Sequence, residues 1–117
     1  MTLLTDTESP EQVLINAFHL MYDNFPEAAM LVHKSKRIVA LNEGAKTPDR
    51  IPGKICAKLG APEMHAGCLA YKALSEQRAM YSAVSLNGRS LIVYWLPING
   101  HPDYYIHFSV GNRDYSS

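Results

Sequence analysis

The sequence predicts an α+β fold: a five-stranded antiparallel sheet with helices on one face, and an N-terminal amphipathic cap helix. Three observations predict it. Leu14, Phe18, Met21, Tyr22 and Phe25 form one apolar stripe at helical period. Asn87-Gly88 sits between two apolar runs and supplies the positive φ angles of a two-residue hairpin. Near the C-terminus Tyr104, Ile106, Phe108 and Val110 alternate with Tyr105, His107 and Ser109, the period of a strand.

The elements follow in order. In Ser9-Pro10-Glu11-Gln12 a serine N-cap, a proline at the first helical position and a glutamine three residues after the cap make a capping box. The helix it opens covers 9–25, is closed by Pro26, and needs a surface for its apolar stripe. Two apolar runs, 28–32 and 37–41, flank the polar Lys34-Ser35-Lys36 and read as an antiparallel hairpin. Residues 42–61 turn to Gly, Pro, Lys and Asp, the composition of irregular structure with single helical turns. Pro62 and Glu63 suit the first turn of a helix running to about Arg78, a spine beside the sheet. Strands at 80–86 and 89–96 close around Asn87-Gly88, and a turn over 99–103 leads to the last strand at 104–110. Every residue of 91–96 is apolar, so both faces of that strand are expected to be covered. The cap helix is the obvious lid for the second face; otherwise that face is a dimer surface.

Composition narrows the function. A chain of 117 residues makes one domain with a real core, divided here as 1–8 flexible N-terminus, 9–25 cap helix, 26–111 core and 112–117 exit segment. With 47% hydrophobic and 19% charged residues it is globular rather than disordered. Eleven Lys+Arg balance eleven Asp+Glu, which leaves no basic footprint for nucleic acid and no polybasic anchor for lipid. The longest apolar run, 91–98, contains Pro97 and falls short of the roughly 18 residues of a membrane span. The first residues lack a positive n-region and an apolar core, so no secretory signal is read and cytoplasmic residence is the expectation. There a pair of cysteines reads as thiols or ligands rather than a structural bridge.

The order of these elements, with certain residues, resembles the PAS sensory domain over nearly the whole chain. Phe25-Pro26-Glu27-Ala28-Ala29 leading into Met30-Leu31-Val32, then Arg37-Ile38-Val39-Ala40-Leu41-Asn42, is similar to that family's opening hairpin with its asparagine at the end of the second strand. Ile51-Pro52-Gly53-Lys54 resembles the glycine turn ending its helical segment, and Gly111-Asn112-Arg113-Asp114-Tyr115-Ser116 its exit motif toward an effector. Departures accompany the likeness. Asn42 and Gly53 lie closer together than is usual, His33 stands where an aspartate commonly ends the first strand, and the cysteine-containing flavin motif is absent. The ligand wall is therefore read as trimmed, and flavin photochemistry is not implied.

One constellation rises above background: Cys56, His65 and Cys68, just before and inside the predicted spine helix. Spacing of three puts His65 and Cys68 on one helix face, with Leu69 and Lys72 continuing the stripe. A helix start and an imidazolium would favour a Cys68 thiolate. Four readings stay open. Cys56, His65 and Cys68 supply three metal ligands where structural zinc wants four. Cys56 and Cys68 can close a reversible disulfide if their Cα atoms lie within about 7 Å. By the family resemblance, His65 is a haem axial ligand. More plainly, both thiols pack as small apolar groups beside a core helix. No cofactor is identified by motif.

Leu69, Tyr94 and Trp95 are the pocket candidates, although cross-strand aromatics also simply stabilise sheets. His33, His101 and His107 are read as exposed and given no role. No phosphate-binding loop, nucleophile elbow or zinc-hydrolase motif is present, and a Cys68–His65 pair on one helix leaves little room for an oxyanion hole, so no catalysis is expected. The expectation is a cytoplasmic sensory or regulatory module in signal transduction, such as a two-component system or transcription regulation. It binds a small ligand or senses redox state and passes this on through homodimer geometry to an effector protein, as a fragment of a larger sensor or as a separate chain. The alternative is a dimerisation or interaction module without cofactor.

Overall fold

A computed structural model describes residues 9–45, 69–86 and 88–111. Helix α1 spans Pro10–Tyr22 and begins as the sequence dictates: Ser9 is extended and its Oγ accepts the Gln12 amide at 3.0 Å. Gln12 Nε2 donates forward to Asn16 Oδ1 at 3.0 Å. The helix ends at Tyr22, three residues earlier than its apolar stripe suggests, because Phe25 precedes a proline and is steered out of helical conformation.

The sheet comprises β1 (Ala29–His33), β2 (Ile38–Leu41), β3 (Met80–Leu86), β4 (Arg89–Ile98) and β5 (His101–Val110), in the order β2-β1-β5-β4-β3 with every neighbour antiparallel. A 3₁₀ turn, Glu43–Ala45, follows β2, and helix α2, Ala70–Glu76, precedes β3. Gln77 ends α2 in the left-handed region at φ 50°. The predicted helix start at 62–68 lies outside the described residues, as do 1–8, the irregular 46–61, Asn87 and 112–117.

The inner face of the sheet is covered by α2, and α1 covers the outer face over β1 and β2. On β4, where both faces of the apolar run were expected to be covered, the outer Ile92 stays 39% exposed, and Tyr81 on β3 stays 69% exposed, because α1 lies toward the opposite edge of the sheet. On the inner face Met30, Val32, Ile38, Leu41, Trp95 and Tyr105 pack with Ala70 and Ala73 of α2. On the outer face Leu14 and Phe18 of α1 lie on Ala29, Leu31, Val39, Ala40 and Ile106. A β-bulge makes the outer seat. Leu31 pairs with Ala40 but Val32 with Ile38, so the intervening Val39 joins Ala40 beneath α1. Phe18 is 1% exposed, and burying such a side chain contributes about 1.5–3 kcal/mol.

The turns account for the remaining departures. Leu86 pairs with Arg89, the two-residue closure expected at Asn87-Gly88. At the next hairpin Ile98 already pairs with His101, so β4 runs through Pro97 and β5 starts three residues earlier than expected. Gly100, at φ +82°, permits the tight turn, and a register shift beside Pro97 absorbs the extra residues where a proline has no amide to contribute.

Candidate functional site

The inner face is the candidate site. Trp95 and His107 are paired across β4 and β5, and their rings stack 5.1 Å apart at 19°. His107 Nδ1 lies 3.0 Å from the Tyr94 carbonyl; because a carbonyl only accepts, this bond places the proton on Nδ1. Met30 pairs with His107 on the other side, and Met80 pairs with Trp95. The result is an apolar, aromatic wall with one imidazole in it. Trp95, Met30 and Met80 are buried in the core against Ala70 and Ala73 of α2.

Of the pocket candidates, Leu69 and Trp95 both belong to this face. Tyr94 does not share it. Strand alternation turns Tyr94 to the outer face, where its ring stacks on Phe108 at 4.9 Å beside Tyr81. Cys56, His65 and Cys68 lie outside the described residues. Among the described residues no group of three His, Cys, Asp or Glu side chains is placed to hold a metal ion. The three histidines read as exposed are half-buried. His33 and His107 stand against aromatic rings, His33 edge-on to Tyr104 at 5.1 Å, and His101 closes the β4–β5 turn.

Asn42, fully buried, organises the junction next to this face. Its Oδ1 accepts the amides of Ala29 and Ala45, each at 3.0 Å. Its Nδ2 donates to the carbonyls of Tyr22, Phe25 and Glu27, at 3.2, 3.3 and 2.8 Å. One side chain thereby ties the end of α1, the lead-in to β1 and the turn after β2. Gly44 belongs to the same knot, since a Cβ there would stand 3.1 Å from the Glu27 carbonyl carbon and oxygen. Glu27 is itself buried, and its Oε2 accepts the Gly111 amide at 3.0 Å.

A second tie holds the start of α1. Arg37 meets Glu11 through two nitrogens, at 2.7 and 3.4 Å, and the Tyr104 hydroxyl donates to Glu11 at 2.8 Å. The Arg37 guanidinium first, and the Tyr104 hydroxyl second, hold the Glu11 carboxyl below its usual value. The Arg37 value is raised chiefly by its bond to Glu11; that of Tyr104 is raised chiefly by burial and then by Glu11. Sequence reading missed both ties, since nothing local marks residues so far apart as partners.

Apolar side chains also face outward. Leu20 and Met21 on α1 are 87% and 67% exposed, and Tyr81 on β3 is 69% exposed. A cleft of about 580 Å³ lies beside α2, lined by Lys34, Lys36, Tyr71, Ser75 and Asp103 among others, but Leu69, Tyr94 and Trp95 do not line it. Its charges are partly internal, Lys34 standing 3.5 Å from Asp103. Among the described residues no helix is long and apolar enough to cross a membrane.

Five antiparallel strands in the order β2-β1-β5-β4-β3, with helix α2 against the inner face, are the PAS fold. The PAS domain of BvgS from Bordetella pertussis is similar to this chain with a TM-score of 0.65 and 19% identity, over 88% of this chain and 89% of that one. A domain of an HTR-like protein from Haloarcula marismortui is similar at 0.62 and 18%, over 75% and 99%. A sensory box sensor histidine kinase from Vibrio cholerae is similar at 0.61 and 15%, over 91% and 98%. No family model and no curated protein matches the chain. At these identities the likeness is one of fold.

Proposed function

We propose that this chain is a sensory or regulatory PAS module that binds a small ligand on its inner face, or senses redox state through Cys56 and Cys68, and signals through homodimer geometry. It acts in the cytoplasm on an effector protein and has no catalytic activity of its own. The observation that carries the reading is the apolar inner wall of Trp95, Met30 and Met80 with the His107 imidazole set into it. The similarity in fold to the PAS domain of BvgS and to a sensory box sensor histidine kinase accords with it. A ligand preferring this wall shifts the population of states in proportion to its differential affinity.

Native mass spectrometry, an absorbance spectrum and a thiol count on the purified protein test this. The expected result is a co-purifying small molecule, a chromophore or thiols with redox-dependent reactivity, with a change in Trp95 emission on removal or reduction. Trp95 is the single tryptophan, so its emission reports this face alone. Colourless, ligand-free protein with two inert thiols refutes the sensor reading.

A second reading, a dimerisation module without cofactor, is favoured by the outward Leu20, Met21 and Tyr81. Sedimentation that finds a monomer at high concentration refutes it.

A further inference from the structure

We infer that Glu27 is a positioning residue that couples the docking of α1 to the place where the chain leaves β5, so that the two ends of the domain respond as one. The inference deepens the signalling reading above and rests on it for its biological purpose, but the coupling is a property of this fold alone.

Three contacts converge on the lead-in segment 23–28. Asn42 Nδ2 holds the carbonyls of Tyr22, Phe25 and Glu27, so the path from the last turn of α1 to Glu27 is fastened to one buried amide. The Phe25 ring meets Phe108, three residues before the end of the described chain, edge-on at 5.3 Å. Glu27 Oε2 takes the Gly111 amide across 84 residues of sequence. Only glycine fits at position 111. It sits at φ +107°, and a Cβ there would come within 2.6 Å of the Ser90 carbonyl oxygen. The exit backbone thus passes close to Ser90 of β4, with its amide held by the Glu27 carboxyl. Displacing α1 moves segment 23–28, and segment 23–28 carries Gly111's acceptor. Linkage requires the reverse as well: releasing Gly111 must weaken α1 docking by the same factor.

Amide exchange followed by NMR on the full chain tests this without any ligand. Phe18→Ala undocks α1, and amides of the β3–β4 ladder report whether the rest stays folded. With ladder protection retained, Gly111 exchange is expected to rise by about tenfold in Phe18→Ala. In Glu27→Ala, Gly111 exchanges fast already, Phe18→Ala adds less than about twofold, and the α1 amides accelerate in turn. Glu27→Gln, which keeps an acceptor oxygen, restores slow exchange at Gly111. If Phe18→Ala loses ladder protection, Phe18→Leu, which loosens the same seat without emptying it, takes its place under the same criteria. Unchanged Gly111 exchange beside accelerated α1 amides in a folded variant overturns the inference. Equal acceleration by Phe18→Ala with and without Glu27 also overturns it. Neither result bears on whether a ligand binds the inner face.

Discussion

Replacing Asn42 with alanine removes a side chain whose amide touches five backbone groups, two hydrogens of Nδ2 serving three carbonyls, so the contacts do not count equally. The Tyr22 and Phe25 carbonyls are held at 3.2 and 3.3 Å in part-buried positions, where water replaces the lost donor. Ala45's amide also reaches the Asn42 backbone carbonyl at 3.1 Å, a bond the substitution leaves in place. Two groups lose a partner in a dry setting: the Ala29 amide and the Glu27 carbonyl. Each costs about 1–3 kcal/mol when stranded, so a loss of about 3–4 kcal/mol is expected. A domain of this size has about 5–15 kcal/mol in all. Equilibrium urea unfolding, with a slope of about 2 kcal/mol per M, should show the midpoint falling by about 1.5–2 M.

Asn42→Asp sharpens the test. It keeps the acceptor for Ala29 but turns a carboxylate toward three carbonyl oxygens, which raises the folded-state pKa of that carboxyl. A raised carboxyl pKa destabilises above the folded value and is relieved as pH falls through it, so Asn42→Asp should recover stability on acidification while Asn42→Ala does not. A midpoint shift below about 0.3 M for Asn42→Ala would show that the buried amide is not the knot described here.

Other expectations follow from the same contacts. Glu11 is held below its usual value, so its contribution is present above that value and lost as pH falls through the depressed one; Glu11→Gln should cost about 0.5–1 kcal/mol at pH 7, and the gap to wild type should close in acid denaturation series below about pH 4. A gap independent of pH would mean that the Arg37 pairing is not its source. Leu20→Glu, on a side chain 87% exposed, should leave thermal stability within about 0.5 kcal/mol yet dissociate a homodimer in sedimentation; an unaffected dimer places the interface elsewhere. Lys36 occupies the left-handed region at φ 73°, so Lys36→Gly should raise stability by about 1 kcal/mol in calorimetry, and a loss would show that its side chain outweighs the backbone strain.

Much of the fold was legible locally. The Ser9 cap, the two-residue closure before Arg89 and the hairpin around Lys34-Ser35-Lys36 depend on a few adjacent residues, and they formed where those residues stand. The apolar run of β4 suggested two covered faces, but α1 lies over β1 and β2 and leaves Ile92 of β4 39% exposed. The asparagine picked out by resemblance is the buried Asn42. Of the pocket candidates, Leu69 and Trp95 pack on the inner face, while Tyr94 lies on the outer one, because alternation sends consecutive strand residues to opposite sides.

Periodicity, capping and turn chemistry act over roughly one helical turn or one hairpin, and within that reach the sequence alone determined the elements, their kinds and their amphipathic faces. The ties that hold those elements span 26, 93 and 84 residues: Glu11 to Arg37, Glu11 to Tyr104, and Glu27 to Gly111. Only the tertiary structure decided these. Setting β1 between β2 and β5, with one bulged residue at Val39, is what brings the head of α1 to Arg37 and Tyr104 and the tail of β5 to Glu27. Strand order and register are global solutions of burial, and no short stretch of sequence encodes them.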